Sequence, residues 1–398
     1  MTPSAASATE ASALRPATVA ARAGISTDPS YGAVAPALHL SATFQFEGLD
    51  RPRRYDYTRS GNPTRELFGQ AVADLEGGVT GCVTASGMAA ITATIFALLP
   101  AQGRIVVPAD CYGGSWRLFE ALAASGRIGT VDYADLSDPS QASRAITAGV
   151  DLVWLETPSN PLLRISDIAA ISAAAHAVGA VVVADNTFAS PALQRPLALG
   201  ADVVVHSATK YLNGHSDVVA GVVVAGDAER GARIADWANT LGLTGSPFDS
   251  YLALRGLHTL HVRMAAAQRN AAAVADLLAA HPAVQAVHYP GLVDHPQHDL
   301  ATTQMAGPGA IVSFRLADRP AVAEFVEGLR CFCLAESLGG IESLVCHPAT
   351  MTHAAMSPQA RTLAGITDGL IRLSLGIEDT ADLLADITAG LNRASRLA

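Results

Sequence analysis

The stretch Val203-Val204-Val205-His206-Ser207-Ala208-Thr209-Lys210 decides the fold. Its β-branched start suits a strand buried on both faces of a parallel sheet. Its polar end is costly to bury without a partner. A second stretch of the same kind, Val181-Val182-Val183-Ala184-Asp185, closes on an acid. In open α/β sheets ligands collect at the carboxyl ends of strands. The 25 positions from Asp185 to Lys210 hold about one helix and one strand, so both side chains can open onto one crevice.

Working outward, short apolar runs at Ile105–Pro108, Leu152–Glu156 and Val222–Ala225 alternate with helical stretches such as Arg65–Glu76 and Ile165–Val178. That alternation builds βαβ units and a large α/β domain. Past about Arg255 the texture changes. An Ala-rich helix is expected over His261–His281, strands over Ala310–Leu316 and Leu370–Leu375, and a closing helix over Asp379–Leu397. The expected division is an extended arm over 1–60, a large domain over 61–255, and a smaller α+β domain over 256–398.

The chain of 398 residues carries 26 Lys+Arg against 36 Asp+Glu, a net charge of −10. No basic block offers a phosphate footprint, which argues against a nucleic-acid partner. The most apolar stretch, Ile168–Val183, contains His176 and reads as helix plus strand, so no membrane span is expected. Five cysteines, Cys82, Cys111, Cys331, Cys333 and Cys346, are odd in number and too sparse for a disulfide framework. Buried free thiols are expected in preference to a zinc site. The start lacks the basic and apolar regions of a secretory signal. A short tail is the simpler reading of its Ala/Ser/Arg bias, beside an organelle-targeting segment. A soluble, cytoplasmic protein is the expectation.

Of the 26 cations, 25 are arginine and one, Lys210, is lysine. A guanidinium stays protonated and cannot serve as an amine nucleophile. A desolvated lysine can lose its proton and form a Schiff base with an aldehyde. Pyridoxal 5'-phosphate (PLP) needs such an amine and a carboxylate that keeps its ring nitrogen protonated. Lys210 and Asp185 supply this pair, though an acid at a strand end also serves as a helix N-cap. Ser207 and Thr209 place hydroxyls beside the lysine. Thr84-Ala85-Ser86-Gly87-Met88 is a small-residue turn before a helix, open to a dianion. No G-x-G-x-x-G, Walker loop or H-E-x-x-H is present. His347 and His353 have a poor spacing for a metal and read as loop polar groups; no metal is expected.

The sequence also resembles the cystathionine γ-synthase/γ-lyase family of PLP enzymes of Cys and Met metabolism from about residue 18 onward. The resemblance is carried by YDYTRSGNPTR (Tyr55–Arg65), DCYGGSWR (Asp110–Arg117), LETPSNP (Leu155–Pro161), ADNTFASP (Ala184–Pro191), HSATKYLNGHSDVVAG (His206–Gly221), LAESLGGIESL (Leu334–Leu344) and IRLSLGIED (Ile371–Asp379). DCYGGSWRLFE and WANTLGLTG are most similar to the bacterial synthases. The resemblance implies PLP fold type I (aspartate-aminotransferase-like), with a large mostly parallel-sheet domain and a smaller C-terminal α+β domain.

By motif, the resemblance implies that Lys210 carries PLP, Asp185 pairs with the ring nitrogen and Tyr112 stacks on the ring. It implies that Gly87, Met88, Ser207 and Thr209 cradle the phosphate, and that Tyr57 and Arg59 reach the phosphate of the neighbouring subunit. From the residues alone, 55–59 read as a solvated, extended arm. Arg372 would clamp the substrate carboxylate with Asn160 and the Ser337 backbone, a job suited to a planar guanidinium. Glu336, Arg117 and Asn239 match positions near the distal substrate. The implied reaction is γ-replacement on small amino-acid substrates, joining an O-acylhomoserine, foremost O-succinyl, to L-cysteine. Cystathionine γ-lyase and O-acylhomoserine sulfhydrylase are the alternatives. Ser60 stands where some bacterial synthases carry a second arginine, which leaves the acyl group open. A homotetramer of two active dimers is implied.

Overall fold

The computed structural model describes residues 14–396. The first 13 residues of the expected tail and Leu397, the last residue of the expected closing helix, lie outside them. Seven strands form the larger sheet: β1 (Thr80–Thr84), β2 (Gly103–Pro108), β3 (Ile128–Ala134), β4 (Leu152–Glu156), β5 (Val181–Asp185), β6 (Val203–Ser207) and β7 (Gly221–Ala225). Their order is β1-β7-β6-β5-β4-β2-β3. Strands β3, β2, β4, β5 and β6 run parallel. Strand β7 runs antiparallel to both β6 and β1. The segment between β6 and β7 holds the Lys210 turn and no helix. With no crossover helix to carry the chain back, β7 must return in the opposite direction.

Burial on both faces explains the β-branched runs. Val204 faces an apolar cluster with Phe68 and Val72. Val203 and Val205 face the other side, with Ile95 and Trp154. The helix Pro63–Glu76 starts at Asn62, whose side chain accepts from the Thr64 and Arg65 N–H groups. The cap satisfies two of the four donors a helix start leaves open.

The second sheet holds β8 (Ala286–His288), β9 (Ile311–Arg315), β10 (Phe332–Leu334), β11 (Ser343–Cys346) and β12 (Leu370–Ser374). Its order is β10-β11-β12-β9-β8, antiparallel except for β10 with β11. Helices Leu260–Ala280 and Thr380–Ala394 pack on it through Met264, Val274, Ile387 and Leu391. The same apolar cluster continues into the larger sheet through Val204 and Val222. The arm begins with a helix at Pro16–Arg22 and is otherwise irregular, with bridges at Thr43–Tyr57 and Gly48–Arg51. All five cysteines are free. Cys111 and Cys346 are buried as expected, but Cys333 is exposed and Cys82 and Cys331 are half-buried. Cys333 and its neighbour Leu334 are both exposed on β10, a short strand at the edge of its sheet.

One crossing allows no side chain. Where Pro63–Glu76 meets β1, a Cβ on Gly69 would lie 2.3 Å from the Gly81 carbonyl oxygen. Gly69→Ala is therefore expected to cost about 1–3 kcal/mol through overpacking. The check is the midpoint of denaturant unfolding, which falls if the helix cannot move away and stays unchanged if it can.

Candidate active site

A cavity of about 430 Å³ opens at the carboxyl ends of β1, β4, β5 and β6. Parallel register sets its floor. Glu156, the last residue of β4, pairs with Asp185, the last of β5, and Asp185 pairs with Val205 of β6. Ser207 then ends β6, and the turn beyond it brings Thr209 and Lys210 to the same mouth.

The Lys210 amine donates to Ser337 Oγ at 2.6 Å. Burial pushes this amine down to about 8, the Arg372 charge pushes the same way, and Glu336 opposes. Asp185 accepts from the Thr187 N–H at 2.9 Å, an Asx turn, and caps no helix. Burial raises its carboxyl above the ordinary range. It has no cationic side chain within ion-pair distance among the described residues.

Beside it lies Glu156, which the sequence reading passed over. Its carboxylate accepts from the Tyr112 N–H (2.6 Å), Ser115 Oγ (3.0 Å) and Trp154 Nε1 (3.1 Å). Burial and the neighbouring Asp185 charge raise the Glu156 carboxyl above its ordinary range. Two of those donors belong to the start of helix Gly113–Ala124, whose own N-cap, Tyr112, offers no side-chain cap. Glu156 thus fixes the turn that presents the Tyr112 ring. The signal for it was the same as for Asp185, an acid closing the apolar run Leu152–Glu156.

The small-residue turn is a helix start. Ser86 caps Gly87–Leu98 through the Ala89 N–H. A Cβ on Gly87 would sit 2.8 Å from Ser207 Cβ and 3.0 Å from its Oγ, so only glycine lets the helix start approach Ser207. The Gly87 and Met88 end of the helix then faces the cavity with the partial positive charge that favours an anion. Ser207 and Thr209 are not equivalent. Thr209 Oγ1 already donates to the Ala220 carbonyl and accepts its N–H, at 3.2 and 3.0 Å.

The second sheet closes the cavity. Arg372, on β12, is buried to 2% exposure. Its Nη1 donates to Asn160 Oδ1 and its Nη2 to the Ser337 carbonyl, both at 2.8 Å. Its Nε has no partner, and among the described residues it has no acidic one. Ser337 itself sits at φ +86°, where a side chain is strained by about 1–3 kcal/mol. That conformation turns its hydroxyl to Lys210 and its carbonyl to Arg372. Tyr112, Arg117 and Glu336 stand at the exposed mouth.

Three expected residues lie elsewhere. Tyr57, Arg59 and Asn239 do not line the cavity. Arg59 Nε donates to Asn239 Oδ1 at 3.0 Å, and its guanidinium sits 5.7 Å from the Tyr57 ring centre. Asn239, which the resemblance places near the distal substrate, is bonded to the arm through Arg59. His206 is explained structurally: it is buried against Glu76 at 2.7 Å. His353 lies in a loop as expected, but buried.

These residues fit PLP. They bring together a weakened amine, a carboxyl without a cation, a helix start that needs glycine and an orphaned guanidinium nitrogen. The family described as Cys/Met metabolism PLP-dependent enzymes matches residues 17–392. Cystathionine gamma-synthase of Escherichia coli K12 is 51% identical over 381 residues, covering 96% of this chain and 98% of that protein. Cystathionine beta-lyase of Lactococcus lactis subsp. cremoris is 48% identical, covering 93% and 97%. The crystal structure of cystathionine gamma synthase from Xanthomonas oryzae pv. oryzae in complex with cystathionine is 56% identical, with a TM-score of 0.95, covering 97% and 100%. The chain belongs to the PLP-dependent enzymes of Cys and Met metabolism.

Proposed function

We propose that this chain joins O-succinylhomoserine and L-cysteine, giving cystathionine and succinate by replacement at the γ-carbon. The observation that carries the proposal is Ser337, whose hydroxyl meets the Lys210 amine and whose carbonyl meets the buried, acid-free Arg372. One cavity therefore offers a proton-moving amine and a carboxylate clamp a single residue apart. The synthases of E. coli and X. oryzae support the choice of reaction.

Bound PLP supplies an aldehyde for amino groups and an electron sink for charge developing along the substrate carbons. Lys210 is assigned to hold it, Asp185 to face its ring nitrogen and Tyr112 to cover its ring. Gly87, Met88 and Ser207 are assigned to its phosphate, with Thr209 shaping the turn. Arg372, Asn160 and Ser337 bind the substrate α-carboxylate, leaving the α-hydrogen to the Lys210 amine. An amine near 8 is neutral in a useful fraction at physiological pH, as a general base must be. The same amine, once protonated, returns the proton after the cysteine thiolate has replaced the acyloxy group. Glu336 and Arg117, at the mouth, are assigned to the distal substrate.

The domain division is proposed as expected, with arm 1–60, large domain 61–255 and C-terminal domain 256–398. Tyr57 and Arg59 are assigned to a neighbouring subunit's phosphate in a homotetramer of two active dimers. Their place outside the chain's own cavity supports this, as do the exposed Tyr31 (94%) and Leu49 (91%) on the arm. The free thiols suit a reducing compartment such as the cytoplasm, and no helix among the described residues is long and apolar enough to cross a membrane. A second reading, γ- or β-elimination by the same groups, is favoured by the similarity to the cystathionine gamma-lyase of Dictyostelium discoideum and to the L. lactis beta-lyase respectively. Sulfide in place of cysteine is a further variant of the replacement.

Incubation with O-succinylhomoserine and cysteine is expected to yield cystathionine; release of cysteine and 2-oxobutanoate from cystathionine as the faster reaction would favour the lyase. Lys210→Ala is expected to lose both the visible absorption of bound PLP and turnover, and normal turnover would refute the assignment. In the cofactor-free protein, reductive methylation of Lys210 should rise as pH passes about 8, because the lowered amine deprotonates there. As the chain has one lysine, a peptide mass reads the result directly. A midpoint near the ordinary lysine value would contradict the burial.

A further inference from the structure

The loop between β11 and helix Pro358–Ala364 forms one wall of the cavity, with Met351 and Thr352 on its lining. Behind that wall His353 is fully buried, at 0% exposure. Its Nε2 lies 3.1 Å from the Asn160 carbonyl oxygen and its Nδ1 2.8 Å from Thr352 Oγ1. A carbonyl oxygen only accepts, so Nε2 carries the hydrogen and Nδ1 accepts from the threonine hydroxyl. Burial, helped by the Arg372 charge, holds this imidazole down to about 4, which keeps that pattern intact near neutrality.

The histidine thus grips the backbone of Asn160, and the Asn160 side chain in turn grips Arg372 Nη1. A guanidinium binds a carboxylate best when two of its three nitrogens donate in the carboxylate plane, so its angle matters as much as its position. Among the described residues two hydrogen-bond acceptors hold this guanidinium, Asn160 Oδ1 and the Ser337 carbonyl. The loop also reaches the other side of the site: a Cβ on Gly113 would lie 2.4 Å from the Thr352 carbonyl oxygen, so the turn carrying Tyr112 rests on it.

We propose that His353 is a positioning residue for substrate binding: by donating from Nε2 to the Asn160 carbonyl it fixes the Asn160 amide, and through it the angle at which Arg372 meets the substrate carboxylate. This rests on the assignment of Arg372 to that carboxylate.

The test uses the PLP-loaded enzyme and reads binding, through the change in visible absorption, of L-2-aminobutyrate and of its carboxamide. Neither ligand has a leaving group at its γ-carbon, and the carboxamide offers no anion to the clamp. For His353→Leu we expect aminobutyrate to bind about tenfold more weakly and the carboxamide to stay within about twofold, the scale of one lost hydrogen bond. His353→Gln, whose amide nitrogen reaches the Nε2 position, should restore aminobutyrate binding. His353→Asn, which is too short, should not. Should the leucine variant not fold, the asparagine and glutamine pair decides. Arg372→Gln is the control: if it leaves the preference for the carboxylate intact, the clamp assignment fails. If Arg372→Gln abolishes that preference while His353→Leu and His353→Asn bind aminobutyrate normally, the proposal for His353 alone is overturned. Equal weakening of both ligands overturns it too, since a merely structural histidine would act so.

Discussion

Strands β4 and β5 end level with one another while β6 runs two residues further, and that parallel register is the constraint on which the site depends. It sets Glu156 beside Asp185 and brings Ser207 and the Lys210 turn out at the same edge. Two acids on neighbouring strands, with burial raising both, form a floor that a positive charge would relieve. The floor is therefore electrostatically incomplete in the chain alone. A protonated ring is the kind of group that completes it.

The opposite wall is built by the reverse imbalance. Arg372 is buried on a central strand of the smaller sheet with two neutral acceptors and an open Nε. A buried cation is expensive unless hydrogen-bonded or paired, and here the hydrogen bonds are present while the pairing is left open. The two walls face each other with opposite needs: a cation over the acids, an anion at the arginine. A protonated ring held over the acids would meet the first need and an amino-acid carboxylate at Arg372 the second, which links the fold to the substrate class.

The strands that order this site were legible because β-branched runs such as Val203–Val205 are buried on both faces. Strands β1 (TGCVT) and β3 (IGTVDYA) were not, since their burial is partial and their sequences mixed. The direction of β7 depended on the absence of a crossover helix, which the run Val222–Ala225 does not encode. Lys210, Asp185 and Arg372 converge on one cavity as their motifs suggested. Glu156 carried the same strand-end signal as Asp185 but was overlooked beside the lysine. The partner of Asn239, Arg59, lies 180 positions away on the arm, and no local pattern links the two. His353 is harder still, because its partner Asn160 lies 193 positions away and neither loop has a periodic pattern.

The strained position at Ser337 also narrows which amino acids evolution can place there. A backbone at φ +86° welcomes glycine and tolerates asparagine or aspartate, while branched side chains fit it poorly. The bond to Lys210, however, needs a short side chain with an oxygen that accepts from the amine, which glycine lacks. The two requirements together leave serine, asparagine and aspartate, so this position should vary far less than its place in an irregular loop would suggest.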